Sequence, residues 1–298
     1  GLGGEQGQGG EDGGFVIVSA SRNVKPILAY SFENNFNDDG LGHAEYFINN
    51  YNRDIEYAKS LNIETDKYIR ELWNDLENNN IKSRAITVVD PLIETRWNQD
   101  CYYNEYAPYD SWGPCNRAYA GCVACAMSQV MKYWNYPEKG KGSHTYIHHQ
   151  YGSQSADFGA TTYKWDEMPN EIWNQNDAIA TLMYHCGVSV DMDYGADGSG
   201  AQSHDVEAAM RMYFGYSSAK YKERSDYSDE EWISLLKSEL DESRPMYFSG
   251  SGEAGGHAIV CDGYDNNDYF HFNMGWSGIG DGFYSIDDVN GFSNNEAV

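Results

Sequence analysis

Basic side chains are scarce in this chain: 20 Lys and Arg stand against 46 Asp and Glu over 298 residues, a formal net charge of −26. Such a surface repels phosphate backbones and anionic lipid, which argues against nucleic acid and membrane surfaces as partners. Long apolar runs are missing too, none approaching the roughly 18 residues of a membrane span. Cysteine is sparse: Cys101, Cys115, Cys122, Cys125, Cys186 and Cys261 are too few for a disulfide scaffold. No secretory leader opens the chain, and the expectation is a soluble secreted protein whose leader has been removed.

What is present is enough for a sizeable core. Apolar residues make up 41% and aromatics 15% of the chain, sufficient for one large or two medium domains. Residues 1–14 are Gly-rich and acidic, without periodicity, and read as poorly ordered. Phe15–Ser19 and Ile27–Ser31 are short β-type runs joined by a polar turn. Helical spacing is expected over 44–60 and 65–77, and the polar stretch Asn78–Arg84 reads as a linker. The predicted division is therefore 1–84 and 85–298, with the boundary inside 80–88.

The larger part is read as α+β with segregated halves. Helices are expected at 122–134, 176–186 and 204–214, and from Ser228 on, where Glu231 completes a capping box. Strands are expected at Met246–Phe248, His257–Asp262, Tyr269–Asn273 and Phe283–Ile286. A cleft between the two halves is the natural place for a site. Cys101 and Cys115 lie in a loop-like stretch and can pair in an oxidising compartment, whereas Cys186 and Cys261 fall in apolar segments and read as buried thiols.

Cys122 is the first candidate for chemistry. Small residues precede it, and Val123, Ala126, Met127, Val130, Met131 and Trp134 follow as an i, i+3, i+4 stripe. The thiol therefore belongs at the start of a buried helix, where free N–H groups and the helix dipole favour a thiolate. A nucleophilic thiol needs a base, and the base an orienting partner. Gly255-Gly256-His257 puts an imidazole at a strand mouth, and Asn273 falls on the following strand. The order Cys, His, Asn, with the latter two roughly 130–150 residues downstream, is that of papain-type peptidases. Gln99 is a candidate oxyanion donor beside the N–H of Cys122, and Trp276 a shield for the imidazole. Taken alone, Cys122 also reads as a small buried hydrophobe and His257 as a structural histidine. Cys125 reads as core, and His271 as structural. His144, His148 and His149 read as a solvated polar loop without carboxylate partners. Asp191, Asp193 and Asp197 lack the ligand spacing of a calcium loop.

Longer motifs sharpen this. Gly121-Cys122-Val123-Ala124, Gln129-Val130-Met131-Lys132-Tyr133-Trp134, Val188–Gly195, Gly255-Gly256-His257-Ala258, Asn273-Met274-Gly275-Trp276 and Asp281-Gly282-Phe283 resemble the streptopain family of secreted bacterial cysteine peptidases. Phe15–Ser19 and Ile27–Ser31 resemble that family's propeptide, and the likeness runs in order over most of the chain. The resemblance implies a papain-like body of two subdomains, one helical and one antiparallel β, behind an N-terminal α+β pro-segment at 1–84. It implies a zymogen, a peptidase that needs no cofactor or metal, and protein or peptide substrates. It also implies the pro-segment as an intramolecular inhibitor. Cys122 would be nucleophile, His257 base and then acid, Gln99 the oxyanion donor, with Asn273 and Trp276 beside them. Substrate pockets would involve Ala126, Ser199, Ser251, Ala254 and Gly256. Met274 departs from the family's tryptophan, Ser251 and Ala254 replace larger apolar residues, and Cys125 has no counterpart in streptopain. The chain is expected to stop short of the family's last Gly-rich loop and strand. Other Cys–His acyl transfer, as in transglutaminases or amidases, and a silent binding protein of the same fold are the competing readings.

Overall fold

A computed structural model describes residues 13–33, 51–52, 55–56, 65, 67–78, 86–252, 255–286 and 296–297. Helix α1 spans Lys67–Glu77, α2 Cys122–Trp134, α3 Asp177–Ser189, α4 His204–Met212 and α5 Asp229–Asp241. Strands are β1 Phe15–Val18, β2 Ile27–Ser31, β3 Thr87–Val89, β4 Ser143–His148, β5 Gly152–Asp157 and β6 Lys222–Glu223. They continue with β7 Met246–Gly252, β8 Gly255–Asp265, β9 Tyr269–Asn273, β10 Gly282–Ser285 and β11 Glu296–Ala297. The helix expected over 44–60 is described only at 51–52 and 55–56, which are helical.

Local chemistry explains the boundaries. Helix α2 starts after Gly121 at φ 94°, ψ 143°, a conformation L side chains avoid, and ends on Asn135 in the left-handed region. Asn176 caps α3 through Ile179 N–H at 2.9 Å. The capping box predicted at Ser228 and Glu231 opens α5.

Helix α2 differs from its reading in one respect. A one-sided stripe was expected, yet Val123 to Met131 are all buried. The apolar face packs on α3, and the opposite face is covered by β7 and β8. Gln129 on that face is satisfied, bonding Thr95, Trp97 and Asn273.

The antiparallel sheet runs β1-β2-β10-β9-β8-β7-β11-β6, with β3 also on β8. Strand alternation separates two cores. Tyr247, Ala258 and Val260 face α2 and the helical half. Met246, Phe248, Ile259 and Cys261 face a second core with Trp232, Leu236 and Leu240 of α5. The N-terminal hairpin β1–β2 joins this same sheet through β10, with Tyr30 opposite Phe283. Tyr30 stacks on Phe283 at 5.1 Å and donates a 2.7 Å bond to Asp265. The expected pro-segment and body thus share one sheet.

A second correction concerns 143–157. His144, His148 and His149, read as lying in a polar loop, sit on or directly after β4 of the hairpin β4–β5. His144, Tyr146 and His148 alternate along β4, a period of two that the histidines disguised.

Candidate active site

The site lies where α2 meets the sheet. Three chain segments meet at the start of α2. Ala120 N–H bonds Gln99 O at 2.8 Å, and Ser277 N–H bonds Trp97 O at 3.1 Å. Segment 97–99 is therefore held between the turn that delivers Cys122 and the turn that follows β9. Gln99 is 4% exposed, and its Nε2 donates to Gly275 O at 3.4 Å. Gly121 must be glycine: a Cβ there would sit 2.7 Å from Met192 Cε, and its φ is positive.

Cys122 is half-buried, and its sulfur is faced by the backbone N–H groups of Ala258, Val123 and Cys122 itself. Burial nonetheless dominates and pushes the thiol above its ordinary value, with those N–H groups pulling the other way. Burial therefore acts on the thiol against the effect expected of the helix start. Desolvation under the β half is the largest influence on the thiol, and the facing N–H groups offset part of it.

His257 is buried on β8, immediately before the Ala258 N–H that meets the sulfur. It has the strand parity of Ile259 and Cys261, not of Ala258. Its ring stacks on Trp276 at 6.4 Å, and Trp276 meets Tyr119 edge-on at 6.4 Å. An aromatic path therefore runs from the imidazole to the residues just ahead of Cys122.

Asn273 is 3% exposed, and its amide is committed elsewhere than the sequence reading placed it. Its Nδ2 donates to Thr95 O at 2.7 Å, and its Oδ1 accepts from Gln129 Nε2 at 2.9 Å and Gly275 N–H at 3.0 Å. It ties α2, the 95–99 segment and the turn after β9 together.

The other predicted residues are dispersed. Ser199 accepts from Gly195 N–H at 3.0 Å and donates to Tyr119 O at 2.7 Å, so its loop is pinned beside the Cys122 turn. Ala126 is 1% exposed and packed in the helical core, because it lies one turn below Cys122 on the inward face. Gly256 is exposed and pairs with Ser251 across β7–β8. Ala254 lies outside the described residues. Cys101 and Cys115 form a disulfide that closes the loop after Gln99.

The histidines of β4 have carboxylate partners after all: His144 Nε2 lies 2.6 Å from Asp191, and His148 Nε2 2.9 Å from Asp193. His148, His149 and Asp193 place their ligand atoms within 4.8 Å of one another. The His148 ring does not suit a metal. Its Nδ1 accepts from the N–H groups of Gln150 and Tyr151 at 3.1 and 3.2 Å, which leaves Nε2 as the protonated nitrogen donating to Asp193. These pairs instead clamp the β4–β5 hairpin to the 191–200 loop.

Sequence reading missed Gln129, whose polar side chain on an otherwise apolar helix is the signal that could have found it. It also missed a buried acidic group beneath the site. Asp281 accepts from Met274 N–H at 2.7 Å, and burial pushes its carboxyl up to about 7. His271 pairs with Asp262 at 2.6 Å; burial opposes its charge, but Asp262 outweighs that and raises it.

Known proteins resemble this chain over most of its length. The Peptidase C10 family matches residues 97–284, and the Spi protease inhibitor family matches residues 8–55. Streptopain of Streptococcus pyogenes serotype M28 is 33% identical over 93% of this chain and 72% of its own length. The thiol protease/hemagglutinin PrtT of Porphyromonas gingivalis is 32% identical over 94% of this chain and 33% of its own. A solved fragment of Prevotella intermedia prointerpain A superposes with TM-score 0.77 at 30% identity, covering 100% of this chain and 98% of that one. Active interpain A from the same organism gives TM-score 0.65 at 38% identity, over 70% of this chain and 93% of its own. The papain-like α+β fold and the inhibitory N-terminal segment agree with these relatives. The chain belongs to the peptidase C10 family, as a cysteine peptidase made in zymogen form.

Proposed function

We propose that the chain is a secreted endopeptidase in which Cys122 attacks the scissile carbonyl and His257 is the proton-transfer partner. The observation that carries this reading is the thiol at the start of α2 meeting the Ala258 N–H next to His257, with Gln99 O bonded to the Ala120 N–H just ahead of the thiol. In the forward reaction His257 takes the thiol proton and the sulfur forms a tetrahedral adduct. Its oxyanion is received by Gln99 Nε2 and the Cys122 N–H. His257 then protonates the leaving amine, and the acyl-enzyme is released by water that His257 deprotonates. Asn273 acts as a positioning residue, because its amide bonds Thr95, Gln129 and Gly275. Trp276 covers the imidazole. Ser199, Ser251, Ala254 and Gly256 are the proposed borders of the substrate cleft, with Ala126 acting from the core behind the Cys122 turn.

The pro-segment comprises 1–84, the peptidase domain 85–298, and the maturing cut falls within 80–88. A thiol raised by burial fits a zymogen whose dyad is assembled only after trimming. The Cys101–Cys115 disulfide and the charge of −26 suit an oxidising exterior and weigh against nucleic acid or anionic membrane as partners. A thiol-reactive peptide probe with casein as substrate tests the reading. Wild type should be labelled and should release casein fragments after pro-segment removal, while Cys122→Ala should do neither. Labelling of Cys122→Ala, or casein cleavage by it, would sink the assignment.

A further inference from the structure

Helix α2 carries a second thiol one turn below the first. Cys122-Val123-Ala124-Cys125 is a Cys-x-x-Cys at a helix start, with Gly121 as the N-cap. Peptide hydrolysis as derived above makes no use of Cys125. Three contacts turn both sulfurs toward the β half. Cys122 meets the Ala258 N–H on β8. Cys125 Sγ lies 3.9 Å from Gly275 O, just past β9. Gln129, further along the same i, i+3, i+7 line, bonds Asn273 at the end of β9 at 2.9 Å. One face of α2 thus bears both thiols.

The distances permit a bond between them. Helical Cα atoms three residues apart are separated by about 5 Å, inside the roughly 4.4–6.8 Å that disulfides span. Side chains lean toward the helix N-terminus, so Cys125 leans over the turn that holds Cys122. The Cβ atoms must still approach from about 5–6 Å to about 4 Å. Cys122 can supply that movement. It is the first helical residue, its N–H is outside the intrahelical ladder, and a glycine precedes it. The other free thiols, Cys186 and Cys261, are buried apart, Cys186 against Met131 Sδ at 3.7 Å.

We propose that Cys125 is a resolving cysteine, which converts peroxide-oxidised Cys122 into a Cys122–Cys125 disulfide and so switches the peptidase off reversibly. The proposal rests on the reading of Cys122 as the nucleophile. In the first step the Cys122 thiolate attacks a peroxide oxygen. The O–O bond breaks, sulfur loses two electrons to become the sulfenic acid, and hydroxide leaves. In the second, Cys125 gives its proton to that hydroxide and attacks the Cys122 sulfur. The S–O bond breaks, the S–S bond forms, and the departing oxygen leaves as water once protonated by solvent. A dithiol returns both electrons and is itself oxidised. The disulfide would close over Gln99: a Cβ on Gly275 would sit 3.0 Å from Cys125 Sγ and 3.8 Å from Gln99 Nε2, so the two side chains are neighbours. Without Cys125 the sulfenic acid has no local partner and proceeds to irreversible sulfinic acid.

The test treats the full chain with hydrogen peroxide, alkylates free thiols, and reads the 122–125 peptide by mass spectrometry, before and after dithiothreitol. Wild type should lose two hydrogens and both alkylations, and dithiothreitol should restore both. Cys125→Ala and Cys125→Ser should instead accumulate a Cys122 product heavier by two oxygens, which dithiothreitol leaves unchanged. After maturation, wild type should recover most of its own untreated activity on reduction, and the variants little of theirs. Sulfinic acid on wild-type Cys122 to the same extent as in both variants would overturn the proposal, as would a wild-type peptide that peroxide leaves unaltered. The mass readout is independent of peptidase activity. A disulfide that forms while Cys122→Ala still cleaves casein would therefore fault the nucleophile assignment and with it the switch. An inactive Cys122→Ala without a disulfide in wild type would fault Cys125 alone.

Discussion

Asn273→Ala separates a positioning role from a catalytic one. The substitution removes three hydrogen bonds at a site 3% exposed, to Thr95 O, Gln129 Nε2 and Gly275 N–H, each 3.0 Å or shorter. Each buried group left without a partner costs about 1–3 kcal/mol. The three belong to one network, since Gln129 also bonds Thr95 Oγ1 at 2.8 Å, so their costs overlap. A total near 3 kcal/mol is expected, and for a domain of this size that lowers Tm by roughly 6–12 °C. The assay is thermal unfolding followed by tryptophan fluorescence, alongside kcat and KM of the matured enzyme at a temperature where the variant is folded. The loss should fall mainly on Tm, with a smaller fall in kcat as Gln99 and the Cys122 turn loosen. An unchanged Tm together with a fall in kcat of two orders of magnitude would refute the argument, because it would mean the amide serves the imidazole.

Three further outcomes follow from the same contacts. Asp281 titrates at about 7 in the folded chain against an ordinary 3.8, through burial. The folded state therefore holds the extra proton, and stability from this group is lost as pH rises from about 4 through 7. His271, raised by Asp262 against the effect of burial, loses stability in the same direction as pH rises through its folded value. Asp281→Asn should flatten the fall of Tm with pH, and an unaltered profile would contradict the assignment. Gly275→Ala places a Cβ at φ +70° and 3.0 Å from Cys125 Sγ. It should cost about 1–2 kcal/mol in backbone strain and lower kcat/KM by displacing Gln99, and wild-type values for both would count against that packing. Tyr30→Ala deletes the ring stacked on Phe283 and the bond to Asp265. A buried aromatic truncation of this kind costs about 3–5 kcal/mol, so the zymogen should lose Tm and mature faster. An unchanged maturation lag on a gel time course would show that β2 does not hold the pro-segment in place.

Periodic segments were read correctly for a physical reason. The capping box at Ser228, the alternation of β7 and β8 and the glycine before Cys122 are local properties, and nothing distant had to agree with them. The hairpin β4–β5 was lost because its alternating face is made of His144, Tyr146 and His148, whose polar atoms meet Asp191, Met192 O and Asp193, more than forty residues away. Of the candidate site, the proposed residues Cys122, His257, Gln99 and Asn273 come from order and motif. Their partners do not, since an amide's hydrogen bonds depend on which chain segments fold beside it.

The sequence by itself determined the residue types and their order. A thiol follows a glycine at a helix start, an imidazole follows two glycines at a strand mouth, and an acidic chain carries a β-type hairpin ahead of both. Tertiary structure alone decided their state. Burying α2 between α3 and β8 raises the Cys122 thiol through desolvation, against the pull of the backbone N–H groups that face it. The same packing commits Asn273 to the scaffold and seats Cys125 beside Gln99, and the sheet edge at β10 binds the N-terminal hairpin to the enzyme it restrains.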